Sequence, residues 1–173
     1  MAKFIIDTDV CTVIPMTADN GESIGCKIAS GFEVNEGVKE YEGIVSTIQT
    51  WFYGHLVKAS WCATAMCYMM KAAGLPGMHE ENVNMLRIAC KAKALAGKGV
   101  FYDKSNLPPT IRRGDVCFWL FSGSTMINSS KKHVNVCVED TDSQTIWCIG
   151  GNQDDRICTK LYDRSQLYAV YRV

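Results

Sequence analysis

A chain of 173 residues, 47% hydrophobic and 21% charged, has the length and makeup of one globular domain with a real core. Eighteen basic and eighteen acidic residues cancel to a formal net charge of +0, which excludes a general electrostatic grip on nucleic acid or an anionic membrane. No apolar run is long enough to span a bilayer, so no stable membrane insertion is expected.

The chain opens Met1-Ala2-Lys3-Phe4-Ile5-Ile6-Asp7 and meets an acid too early for a secretory leader; synthesis in the cytoplasm without a signal peptide is the expectation. Residues Lys3 to Ile14 are rich in β-branched side chains and predict one short strand. Thr17 to Asn35 is rich in Gly, Asn, Ser and Asp and reads as loop. From Glu36 to Phe52, Val38, Tyr41, Val45, Ile48 and Phe52 recur at helical steps, with Asn35 as N-cap and Tyr53-Gly54 as the stop.

A second helix is expected from about Trp61 to Ala73, capped by Ser60 and closed by Gly74 with Pro76 beyond. Its interior, Cys62 to Met70, is apolar almost all round, the mark of a helix buried in the domain centre, with Cys62 at its exposed tip. A third helix spans Glu80 to Ala96, with Val83, Leu86, Ala89 and Cys90 facing inward. After Pro108-Pro109 the pattern turns to strands: Val116 to Phe121, His133 to Glu139, Gln144 to Ile149, Arg156 to Leu161 and Leu167 to Arg172. Helices first and an antiparallel sheet after them make the fold class α+β.

Nine cysteines is an odd and high number, and none is spaced as Cys-x-x-Cys. Cys67, Cys90, Cys117, Cys137 and Cys148 sit in apolar runs and read as small buried hydrophobes. The three histidines add no zinc spacing, so no metal and no cofactor is expected.

Cys62, His133 and Asn152 stand apart, because each lies at the end of an element, where side chains can converge in a cleft. A cysteine at a helix start feels the positive end of the helix dipole, which favours the reactive thiolate. A histidine brought beside it completes a nucleophile–base pair, and an asparagine can accept a hydrogen bond from the ring and orient it. Each residue alone has a plainer explanation; their joint placement is what points to a cysteine hydrolase.

Four segments in order resemble the CHAP family, the cysteine- and histidine-dependent amidohydrolases/peptidases of the papain-like NlpC group. They are Trp61-Cys62-Ala63 with its helix through Leu75, Leu107-Pro108 through Trp119, His133 through Val138, and Thr145 through Asn152. They span roughly the last two-thirds of the chain; residues before about Gly37 carry no resemblance. The resemblance implies a papain-like fold with N-terminal helices packed on an antiparallel sheet. It implies a single catalytic domain over 1–173, with 1–36 a variable segment and no separate wall-binding domain. Cys62 is then the nucleophile, His133 the base and later acid, and Asn152 the orienting residue. Many relatives carry Glu two places before that Asn, where this chain has Gly150, and Val-Gly-Ile after the His, where it has Val134-Asn135-Val136. The acids that hold calcium in some relatives are missing from Tyr53 to Ser60, so no calcium site is expected there.

The family's usual substrate is peptidoglycan, cut at a peptide or muramoyl–alanine amide. A phage endolysin released with the help of a holin is the leading expectation, acting on the cell wall. An injected antibacterial amidase paired with an immunity protein is the runner-up, and a catalytically inactive module of a phage particle is the rival outside the enzymes. Tyr53 is a candidate oxyanion donor by likeness to NlpC-type enzymes, and Trp51, Trp61 and Trp119 are candidates to line the substrate groove.

Overall fold

A computed structural model of the chain describes residues 3–4, 15–16, 21–121 and 131–173. The expected strand from Lys3 to Ile14 is there only in part: β1 (Lys3–Phe4) pairs antiparallel with β2 (Pro15–Met16), and the residues between them lie outside the described ones. Four helices follow among the described residues, α1 (Ile24–Glu33), α2 (Gly43–Tyr53), α3 (Cys62–Ala72) and α4 (Val83–Leu95). Then come β3 (Val100–Asp103), β4 (Val116–Leu120), β5 (Lys132–Cys137), β6 (Thr145–Gly150), β7 (Cys158–Asp163) and β8 (Leu167–Arg172). These six form one antiparallel sheet in the order β3-β8-β4-β5-β6-β7. The fold is therefore α+β.

Alternation splits the sheet's side chains between two cores. Val116, Phe118, Val134 and Val136 face the helices and join the core built on α1–α4. Cys117, Trp119, Cys137 and Cys148 point the other way, into a smaller core with Ile111, Ile146, Leu167 and Val170. α3 lies at the centre of the helical layer. Its residues Cys62 to Cys67, Met69 and Met70 are buried, as an all-round apolar helix requires. Cys67, Cys90, Cys117, Cys137 and Cys148 are all buried free thiols.

α1 corrects the loop expected from Thr17 to Asn35. Ser23 caps it by accepting from Cys26 N at 3.1 Å, and Ile28 and Phe32 face the core. Its glycines serve close approach. A Cβ on Gly25 would sit 2.5 Å from the Gly114 carbonyl oxygen, and one on Gly31 would sit 3.1 Å from Met69 Sδ. Arg113, before β4, grips Glu33 at the helix end through two hydrogen bonds of 2.5 and 2.7 Å.

α2 starts seven residues later than its apolar spacing predicts. The stretch 36–42 is held instead by the loop between β6 and β7: Gly37 N donates to Ile157 O, Ile157 N to Val38 O, and Glu40 N to Asp155 O, at 2.7–2.9 Å. Asn35 does not open α2; it is buried and donates to Gly31 O at 2.8 Å, within the last turn of α1. Nor does Ser60 cap α3, whose N-cap position is held by Trp61 without a side-chain hydrogen bond.

Candidate active site

Cys62 is the first residue of α3. The N–H groups of a first helical turn lack partners within the helix and carry its positive end. The side chain is not the exposed tip that the sequence suggests: Cys62 is only 2% exposed. Burial, the largest influence on the thiol, pushes its pKa up. The charge and hydrogen bond of His133, with hydrogen bonds from the Ser60 hydroxyl and the Val134 backbone, outweigh it and hold the thiol below its ordinary value of 9.0.

β5 brings His133 to the sulfur. His133 pairs across the strands with Trp119, and the register fixes it one residue in from the strand's start. Its Nε2 lies 2.9 Å from Gln153 Oε1. That leaves Nδ1 for the thiol, with Nε2 carrying the proton donated to the amide oxygen. The pair is thus oriented from behind by a side-chain carboxamide, as the sequence expectation required, but from the neighbouring residue.

Asn152, expected to orient the ring, corrects to Gln153. Asn152 sits in the left-handed region at φ 59° and donates from Nδ2 to Ser60 Oγ at 3.1 Å. Asp154 and Asp155 are also left-handed, at φ 56° and 54°. Three such residues within four positions turn the chain sharply, and the turn aims position 153 rather than 152 at the histidine. A Cβ at Gly151 would sit 2.4 Å from the Trp61 ring, so this turn rests directly on the residue before the cysteine. The place where relatives carry Glu is closed as well, since a side chain at Gly150 would meet Asn135 Cβ at 2.7 Å.

Gln153 is the hub of a buried network that the sequence did not reveal. Its Oε1 also accepts from Asn135 Nδ2 at 3.0 Å and from the Tyr162 hydroxyl at 2.7 Å, and its Nε2 donates to Cys158 O. Asn135 in turn accepts from Trp119 Nε1 at 2.6 Å. The Tyr162 ring stacks on Trp119 at 4.7 Å and lies nearly parallel to His133 at 6.0 Å. Burial raises the Tyr162 phenol well above its ordinary value, so it stays a neutral donor. The one signal available was strand alternation, which puts His133 and Asn135 on the same face of β5.

Trp61 and Trp119 cannot line a substrate groove: both are fully buried. Trp61 packs under Gly151, and Trp119 holds Asn135. Trp51 packs edge-on against Tyr68 and His79, with Lys71 Nζ 4.9 Å from its ring centre. Tyr53 ends α2 half-buried, with its hydroxyl 3.4 Å from Thr64 Oγ1 on the first turn of α3. Burial raises its pKa, and a charge on Cys62 raises it further, so the phenol keeps its proton near the sulfur.

Among the described residues, no group of three His, Cys, Asp or Glu side chains is arranged to hold a metal ion. No helix among them is long and apolar enough to cross a membrane. No protein-family model matches the chain, and no curated protein matches its sequence.

Proposed function

We propose that this protein is a cysteine hydrolase of the papain-like CHAP type that cuts an amide bond in peptidoglycan. One observation carries the reading: a buried thiol at the start of a helix is held below its ordinary titration chiefly by an imidazole, whose Nε2 lies 2.9 Å from a buried carboxamide oxygen. Burial pushes a thiol up, as at Cys67, which it carries to about 12 despite a hydrogen bond from the Glu80 backbone. Cys62 goes the other way. The likeness of four ordered segments to CHAP enzymes supports the substrate class.

The chemistry follows from the pair. The Cys62 thiolate attacks the amide carbonyl carbon and forms a C–S bond while the carbonyl electrons move onto oxygen. The Cys62 backbone N–H and the Tyr53 hydroxyl donate to that oxyanion. The His133 imidazolium gives its proton to the departing amine, leaving a thioester on Cys62. His133 then takes a proton from water, whose oxygen attacks the thioester, and the thiolate leaves. Gln153 keeps the ring in the plane and tautomer that both transfers need.

A phage endolysin acting on the cell wall is the setting we favour. The test is digestion of purified sacculi, with soluble products read by mass spectrometry. The wild type should release muropeptides, with new N-termini if a peptide bond is cut or free stem peptides if the muramoyl amide is cut. Cys62→Ala should release none. Intact sacculi after prolonged incubation with folded wild type would end the reading.

A further inference from the structure

The Ser60 hydroxyl lies 3.9 Å from the Cys62 sulfur, and Asn152 Nδ2 donates to that same hydroxyl oxygen at 3.1 Å. Ser60 is exposed, two residues before the cysteine; Asn152 stands on the turn between β6 and β7, 92 positions away in sequence. A serine hydroxyl has one proton and two lone pairs. With Asn152 occupying a lone pair, the proton is left free to point at the sulfur.

We infer that Ser60 and Asn152 form a second device for holding the thiolate, beside His133: Asn152 fixes the Ser60 hydroxyl, and Ser60 donates to the sulfur anion. The inference rests on Cys62 being the nucleophile, and it gives Asn152 a positioning task other than the one its place in the sequence suggested. The Asn152 backbone is left-handed, and its amide reaches Ser60 in the loop before α3 and not the ring. Asparagine is among the few side chains that take φ near 59° readily. The direction of the Cys62 titration agrees, because the Ser60 hydroxyl is one of the groups lowering it. Among the described residues, the titratable groups that feel the sulfur are His133 from β5, Tyr53 from α2 and Tyr162 from β7. The two phenols are raised and keep their protons, so neither brings a charge beside the sulfur near neutrality.

The test needs no wall substrate. Iodoacetamide forms an S–C bond with the thiolate and expels iodide, so the rate at Cys62, read by mass spectrometry of its peptide, follows the thiolate fraction across pH. In the wild type the midpoint should fall below 9. Ser60→Val should shift the profile to higher pH and slow labelling below the midpoint roughly tenfold or more, as expected for losing one hydrogen bond to a charged atom. Ser60→Thr has the same branched shape and keeps the hydroxyl, so it should follow the wild type. Asn152→Gly keeps the left-handed backbone without the amide and should shift the profile in the same direction by less. The double variant Ser60→Val/Asn152→Gly should be no slower than Ser60→Val alone. Ser60→Val and Ser60→Thr giving the same profile would overturn the role of the hydroxyl. Additive losses in the double variant would overturn the link through Ser60. A wild-type midpoint at or above 9 would instead remove Cys62 as the nucleophile, which is a different failure.

Discussion

Replacing Gln153 by leucine removes the acceptor that organises the site while keeping the bulk of the side chain. Gln153 is 3% exposed and its Oε1 takes three donors, from His133 at 2.9 Å, Asn135 at 3.0 Å and Tyr162 at 2.7 Å. Its own amide satisfies Cys158 O. Each buried group left without a partner costs on the order of 1 kcal/mol or more, so the total should be about 3–4 kcal/mol. At this chain length that corresponds to a fall in Tm of about 10 °C, which differential scanning calorimetry reads directly. The rate should fall as well, because the His133 ring loses its fixed plane; a misplacement of about 1 Å costs about 10²-fold. Asn152→Gly removes a single partly exposed hydrogen bond and should cost about 1 kcal/mol or less. The refuting result is the reverse order: Gln153→Leu close to wild type in Tm and rate, with Asn152→Gly severely impaired in both.

Other expectations follow from the same contacts. In native protein labelled with iodoacetamide, Cys62 should react with a midpoint below 9, while Cys67, pushed up to about 12, and Cys90, pushed well up by burial, should stay unlabelled until the chain unfolds. The sign for stability follows: the folded state holds the Cys62 proton less tightly than the unfolded chain, so this group's contribution is complete above the ordinary thiol value and fades as pH falls through the lowered one, which denaturant titrations across that window would detect. Gly151→Ala should lower stability by about 1–3 kcal/mol and slow turnover, because a Cβ 2.4 Å from the Trp61 ring must push the turn that carries Gln153. Asp115→Ala should cost about 3–5 kcal/mol in urea unfolding, because the buried carboxylate takes two hydrogen bonds from Arg172, at 2.7 and 2.8 Å, and one from Arg112 N.

The α+β class and the five later strands were legible because their signals are local: runs of β-branched and apolar residues set off by Gly, Pro and polar turns. β8 was read at its observed bounds, Leu167–Arg172. α3 was legible because an apolar run closed by Gly74 and Pro76 admits few other readings. α1 was not, because Gly25 and Gly31 read as loop formers, whereas each is there to let a neighbour approach closely. Those neighbours, Gly114 and Met69, are distant in sequence. The false start of α2 has the same origin: Val38 and Tyr41 fit a helical period, but hydrogen bonds to residues more than a hundred positions away hold that stretch open. At the site, Cys62 and His133 stood out by their positions at element ends, and the structure puts the His133 charge beside the Cys62 thiol. The expected partner of the ring lay one residue off because the direction of a side chain in a tight turn depends on φ, and three of the four residues from Asn152 to Asp155 (Asn152, Asp154 and Asp155) are left-handed only in the folded chain. The burial of Trp61 and Trp119 was equally hidden, since a tryptophan at the start of a helix or on a strand can face inward or outward with the same sequence.

The most direct test is to catch the covalent intermediate. Wild-type protein mixed with sacculi and quenched in acid within seconds should carry an added mass equal to an acyl fragment of the stem peptide or cross-bridge, or of the muramoyl group, mapped to the peptide containing Cys62. Cleavage proceeding with no adduct on any cysteine, or with the adduct on a cysteine other than Cys62, would contradict the account.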